Sequence, residues 1–102
     1  MDRLAEQDIF GGLGDKALIL FGAGHYCEAY LQEYGGRHRP HYIVDNDPAK
    51  WGQVKDGVVI RSPQILAGEK EGSFRVIICS QQAESMMRQL EQMGIKEYRV
   101  VY

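Results

Sequence analysis

The sequence predicts an α/β fold: one open, mostly parallel, five-stranded sheet with helices on both faces. Three observations carry this. First, Ala17–Phe21 is an unbroken apolar run, as a strand buried on both faces requires. Second, Gly22 and Gly24 follow it, and apolar side chains then recur at Ala23, Tyr26, Cys27, Tyr30, Leu31 and Tyr34, the spacing of a helix with one buried face. Third, the same succession returns later. The run Phe74–Cys79 precedes a stripe of Ala83, Met86, Met87, Leu90 and Met93. Strands alternating with helices in this way pair in parallel and are covered on both faces.

The elements follow in order. Asp2–Phe10 is predicted as a short helix with sparse apolar residues Leu4, Ile9 and Phe10. Gly11, Gly12 and Gly14 end it and make a join, so residues 1–15 are set apart from a domain spanning 16–102. The first strand is Ala17–Phe21 and the first long helix Ala23–Tyr34. Gly35 and Gly36 are expected to stop that helix, the first able to take the left-handed C′ conformation. The second strand, His41–Val44, runs into the turn cluster Asp45-Asn46-Asp47-Pro48. Ala49–Gly57 is read as irregular, with a tight turn at Asp56-Gly57. Val58–Ile60 is a short β-branched strand. Ser62 caps a short helix that Pro63 opens and Ala67 closes. Phe74–Cys79 is the fourth strand, Gln81–Met93 the last helix, and Gly94-Ile95 its Schellman-type ending. Tyr98–Val101 is the fifth strand. Right-handed crossovers give the strand order 3-2-1-4-5.

Composition sets the limits of function. The chain has 102 residues, enough for one domain with a core. A formal net charge of −2 argues against nucleic acid as a partner, since such proteins carry a basic face. No apolar run reaches the ~20 residues of a membrane span, and Met1–Ile9 is too polar for a signal peptide. A cytoplasmic location is expected, with no membrane insertion. Cys27 and Cys79 fall in a helix and a strand, and read as small buried hydrophobes rather than a disulfide.

The candidate site lies where the first and fourth strands diverge into helices on opposite faces. Gly22-Ala23-Gly24-His25-Tyr26-Cys27 supplies the first two glycines of the dinucleotide fingerprint, after a strand as the motif demands, with Cys27 in place of the third. The turn presents backbone N–H groups at a helix N-terminus, which suits a phosphate. Its alternative is a tight turn that binds nothing. Asp45 ends the second strand 23 residues after Gly22, placed to accept from a ribose diol or to open an Asx-turn. Asn46 and Asp47 read as turn formers. Ser80, directly after the fourth strand, faces the same crevice or caps the last helix. Lys50 can reach a phosphate, and Trp51 can stack on a base or cover the sheet end. No metal is expected: His25, His38 and His41 lack zinc-ligand spacing. Nor is there a G-x-S-x-G nucleophile elbow or a Tyr-x-x-x-Lys pair. Tyr26, Tyr30 and Tyr34 share a helix face and cover the sheet.

The strings LILFGAGHYCEAYL, YIVDNDPAKWG, GVVIRSPQIL, RVIICS and QLEQMGIKEYRVV together resemble the small Rossmann-like N-terminal domains of bacterial polysaccharide-biosynthesis proteins. These include nucleoside-diphosphate-sugar epimerase/dehydratase-related proteins, sugar acyltransferases and FkbM-type methyltransferases. The resemblance runs from Lys16 to Tyr102. It implies a nucleotide-sugar held near Gly22, Gly24 and His25, with Asp45 and Asn46 at the end of the second strand. Cys27 departs from it, because most relatives carry a very small residue there. It also implies that catalysis belongs to an attached domain.

Three functions are consistent with the sequence. The leading one is a non-catalytic binding module for a nucleotide or nucleotide-sugar, with NAD(P) and CoA as other candidate ligands, in sugar-nucleotide and surface-polysaccharide metabolism. The second is a ligand-free docking or dimerisation domain that serves an attached catalytic domain or forms a homodimer. The third is a fragment of an NAD-dependent sugar-nucleotide oxidoreductase.

Overall fold

The computed structural model describes residues 3–101. Asp2, expected to open the first helix, Tyr102, and the side chain of Leu4 lie outside it. The elements are α1 (Arg3–Phe10), β1 (Ala17–Phe21), α2 (His25–Tyr34), β2 (Tyr42–Val44), β3 (Val54–Lys55), β4 (Val58–Arg61), β5 (Phe74–Ile78), α3 (Ala83–Gln92) and β6 (Tyr98–Val100). Tight 3-10 turns cover Pro48–Lys50 and Pro63–Gly68.

The sheet has six strands in the order β3-β4-β2-β1-β5-β6, which corrects the expected five. The addition is β3, from the segment read as irregular. It pairs antiparallel with β4 at the sheet edge, across a turn in which Asp56 and Gly57 hold φ of 53° and 80°. Both values are left-handed, as the hairpin turn matched to strand twist demands. A strand of two residues is too short to show an alternation of its own. All other pairings are parallel.

Side chains of β1 alternate between two cores. Leu18 and Leu20 join Cys27, Tyr30, Leu31 and Tyr34 of α2 on one face. Ile19 and Phe21 join Ala83, Met86 and Leu90 of α3 on the other. Burial on both faces is why β1 reads as a continuous apolar run and β5 as one broken only by Arg75. The ends of the two long helices differ. In α3, Gly94 takes φ of 81° and the N–H of Ile95 donates to Leu90 O, completing the Schellman ending. In α2, Gly35 stays right-handed at φ −58°, against expectation. There the carbonyl of Tyr34 is satisfied instead by the N–H groups of Arg37 and His38.

One buried charge fixes α1 to the sheet. Arg75 of β5 is 2% exposed. Its Nε donates to the Glu97 carboxylate and its Nη1 to Ile9 O at 2.8 Å. Arg99 Nε donates to Asp8 O at 3.1 Å. Two guanidinium groups thus satisfy carbonyls at the C-terminal end of α1, where the helix dipole favours a cation.

Candidate functional site

The crevice expected between diverging strands is present. It encloses about 480 Å³ at the carboxyl ends of β1, β2 and β5, and its lining includes Gly22, Ala23, Gly24, His25, Asp45, Asn46, Lys50 and Ser80. The structure therefore brings these eight candidate residues to one place, but not Trp51. Tyr26, Asp47, Cys79, Gln82 and Met86 complete the wall.

The glycine turn is shaped by close approach. A Cβ on Gly22 would lie 2.6 Å from the Cys79 carbonyl oxygen, and φ there is +109°, so only glycine fits. Gly24 differs, since a Cβ there would meet nothing within 4 Å. Its missing side chain leaves the wall of the crevice open. Helix α2 starts at His25 with no side-chain cap. Among the described residues, no hydrogen bond engages the N–H groups of Gly24, His25 or Tyr26. Such a helix start favours an anion.

Cys27, at the third position of the motif, is fully buried between α2 and the sheet. Burial pushes its thiol up to about 11, with the Lys55 charge pulling the other way. Cys79 is displaced upward as well, by burial and then by Cys27. Neither thiol is a ready nucleophile.

Asp45 combines roles that the sequence left as alternatives. Its Oδ1 accepts from the Asp47 N–H at 2.8 Å, the Asx-turn. Its Oδ2 accepts from the Ala23 N–H at 2.8 Å and so reaches the glycine turn. Lys50 Nζ stands 3.8 Å from the same oxygen. Each carboxylate oxygen retains a further lone pair. Trp51 is 41% exposed and lies outside the crevice lining, its Nε1 donating to Asp45 O at 2.7 Å. It braces the β2 end.

Ser80 Oγ accepts from the Gln82 N–H at 3.0 Å. It caps a turn just before α3, which starts at Ala83 rather than at the expected Gln81. Two side-chain bridges escaped sequence reading. The amides of Asn46 and Gln89 exchange two hydrogen bonds of 2.9 Å from the β2 end to α3. Gln81 Nε2 donates to Tyr26 Oη at 2.8 Å, from the β5 end to α2. Pairs separated by 43 and 55 residues leave no local pattern to read.

Among the described residues no helix is long and apolar enough to cross a membrane. No protein-family model matches the chain, and no curated protein matches it either. Solved structures do. RSP, a Rex-family repressor, aligns at 17% identity with a TM-score of 0.62 over 89% of this chain and 55% of its own. RSP in complex with beta-NADH aligns at 16% identity, TM-score 0.61, over 85% of this chain and 53% of that one. RSP in complex with beta-NAD+ and operator DNA gives 17%, 0.60, 87% and 52%. The chain thus spans about half the length of these relatives by fold. The fold is Rossmann-like.

Proposed function

We propose that this chain is a nucleotide-binding module, not catalytic by itself. One observation carries the reading: a single crevice at the strand switch point joins the open Gly24 wall and uncapped start of α2 to the carboxylate of Asp45. Phosphates sit on the N–H groups of Gly24, His25 and Tyr26. Asp45 accepts from the ribose, and Lys50 supplies a cation beside it. Ser80 and Met86 wall the base. That structures similar in fold hold beta-NADH and beta-NAD+ supports a nucleotide ligand. The resemblance of the sequence strings to polysaccharide-biosynthesis domains supports a nucleotide-sugar and an attached sugar-modifying enzyme. In this reading residues 16–102 are the binding domain and residues 1–15 an appended helix and join.

Isothermal titration with UDP-sugars, CoA, NAD+ and NADH tests it. Saturable binding of one of these, weakened by Gly24→Val, is the expected result. No heat with any of them at millimolar concentration would overturn it.

A second reading has its own support. Asp45 already sets a carboxylate on the Ala23 N–H, at the turn where a ligand anion would dock. A carboxylate already seated on one N–H of the turn suits a ligand-free docking or dimerisation domain. Light scattering separates the readings. A ligand-independent dimer with no nucleotide binding supports the second, and a monomer that binds nucleotide supports the first.

A further inference from the structure

Tyr26 stands between two cavities. The crevice takes its walls from the ends of β1, β2 and β5, and from the starts of α2 and α3. A second cavity of about 360 Å³ runs along α2, bounded by Ala29, Glu33, Tyr34 and Val101 among others. Val101 is the residue after β6. Among the described residues Tyr26 alone belongs to both linings. Its ring packs on the core beneath α2, His25 meets it edge-on at 5.8 Å, and its hydroxyl is held by Gln81 at 2.8 Å.

This placement bears on the length of the ligand. A dinucleotide in a doubly wound sheet crosses the switch point, one nucleotide over each half of the sheet. Here β1, β2 and β4 form one half, and β5 with β6 the other. The crevice lies at the switch point itself, between the ends of β1 and β2 and the β5–α3 connection, and its lining does not extend to β6. The route from it toward Val101 passes Tyr26. On the strength of the nucleotide reading above, we infer that Tyr26, latched by Gln81, is the partition that restricts the site to one nucleotide. The site takes a nucleoside diphosphate and turns away the second half of a dinucleotide. The hydroxyl-to-amide bond sets the position of the ring, so Gln81 is a positioning residue and Tyr26 the residue that determines specificity.

Calorimetric titration of the whole chain with ADP, UDP and NAD+ tests this, repeated with Gln81→Ala and Tyr26→Ala. In the unaltered chain ADP or UDP is expected to bind roughly tenfold more tightly than NAD+. In each variant the affinity for NAD+ relative to that for ADP rises by roughly the same factor. Circular dichroism monitors folding. Should Tyr26→Ala fail to fold, Gln81→Ala carries the comparison, because Gln81 is exposed and outside the core. NAD+ binding as tightly as ADP and UDP in the unaltered chain overturns the partition and leaves the nucleotide reading standing, as does an affinity ratio that no folded variant moves. Binding of none of the three overturns the partition, and overturns the nucleotide reading as well when UDP-sugars, CoA and NADH also give no heat.

Discussion

The carboxylate of Asp45 accepts the backbone N–H of Ala23 at 2.8 Å, across 22 residues of sequence. This bond ties the end of β2 to the glycine turn after β1. It makes Asp45 a structural residue as well as a ligand candidate. Asp45→Ala removes the acceptors of two backbone donors and is expected to cost about 2–3 kcal/mol in urea unfolding. Asp45→Asn keeps one acceptor oxygen and loses about half as much. Equal stability of Asp45→Ala and the unaltered chain would show that the bond contributes nothing.

The two glycines of the turn are expected to separate stability from binding. Gly22→Ala drives a Cβ to 2.6 Å from Cys79 O at positive φ, so a loss of more than ~2 kcal/mol is predicted. Gly24→Ala meets open space, and its melting temperature should stay near that of the unaltered chain. The added methyl projects into the crevice, where it should weaken nucleotide binding. A Gly24→Ala protein that binds as before would place the phosphates elsewhere.

Cys27 and Cys79 are both buried, and burial pushes the Cys27 thiol up to about 11. At pH 8 neither should react with Ellman's reagent until the chain unfolds, when both should titrate. Rapid reaction in the folded state would mean that α2 lifts from the sheet. Cys27→Gly restores the fingerprint but places glycine in the first turn of α2 and empties a filled site, for a loss of about 1–2 kcal/mol.

Desolvation drives the Glu97 carboxyl upward, but the hydrogen bond and charge of Arg75, with help from Arg99 and Lys16, outweigh it and hold the group below its ordinary value of 4.5. A depressed carboxylate contributes stability that is complete above the unfolded value and is lost as pH falls through the folded one. The loss should therefore begin below about pH 5. Glu97→Gln should remove that acid dependence and leave the Arg75 charge without its partner, at about 2 kcal/mol. The cost stays below that of a wholly buried pair because Glu97 is about a third exposed. An unchanged acid limb in the variant would assign it to other carboxylates.

Much of the fold was legible because its signals are local. The runs of β1 and β5, the stripe of α3 and the Gly94 ending each declare themselves within a dozen residues. The crevice followed from topology, and Asp45 from the length of one β-α-β step. What stayed hidden depends on partners far along the chain. Arg75 reads as an odd charge in an apolar strand, and only the carbonyl of Ile9 and the carboxylate of Glu97 explain it. The Asn46–Gln89 and Tyr26–Gln81 bridges are of the same kind. Gly35 misled for the opposite reason: its conformational freedom permits a left-handed stop, but the turn to His38 satisfied the helix end without one.

The anchoring of α1 has a consequence for synthesis. Its carbonyls wait for Arg75 and Arg99, 66 and 91 residues downstream. A ribosome releases the chain from the N-terminal end at about 5–20 residues per second. So for several seconds after α1 is made those two carbonyls lack their guanidinium partners, although Glu6 can already meet Arg37 and Phe10 can stack on His38. The end of α1 is fully satisfied only when β5 and β6 have been made.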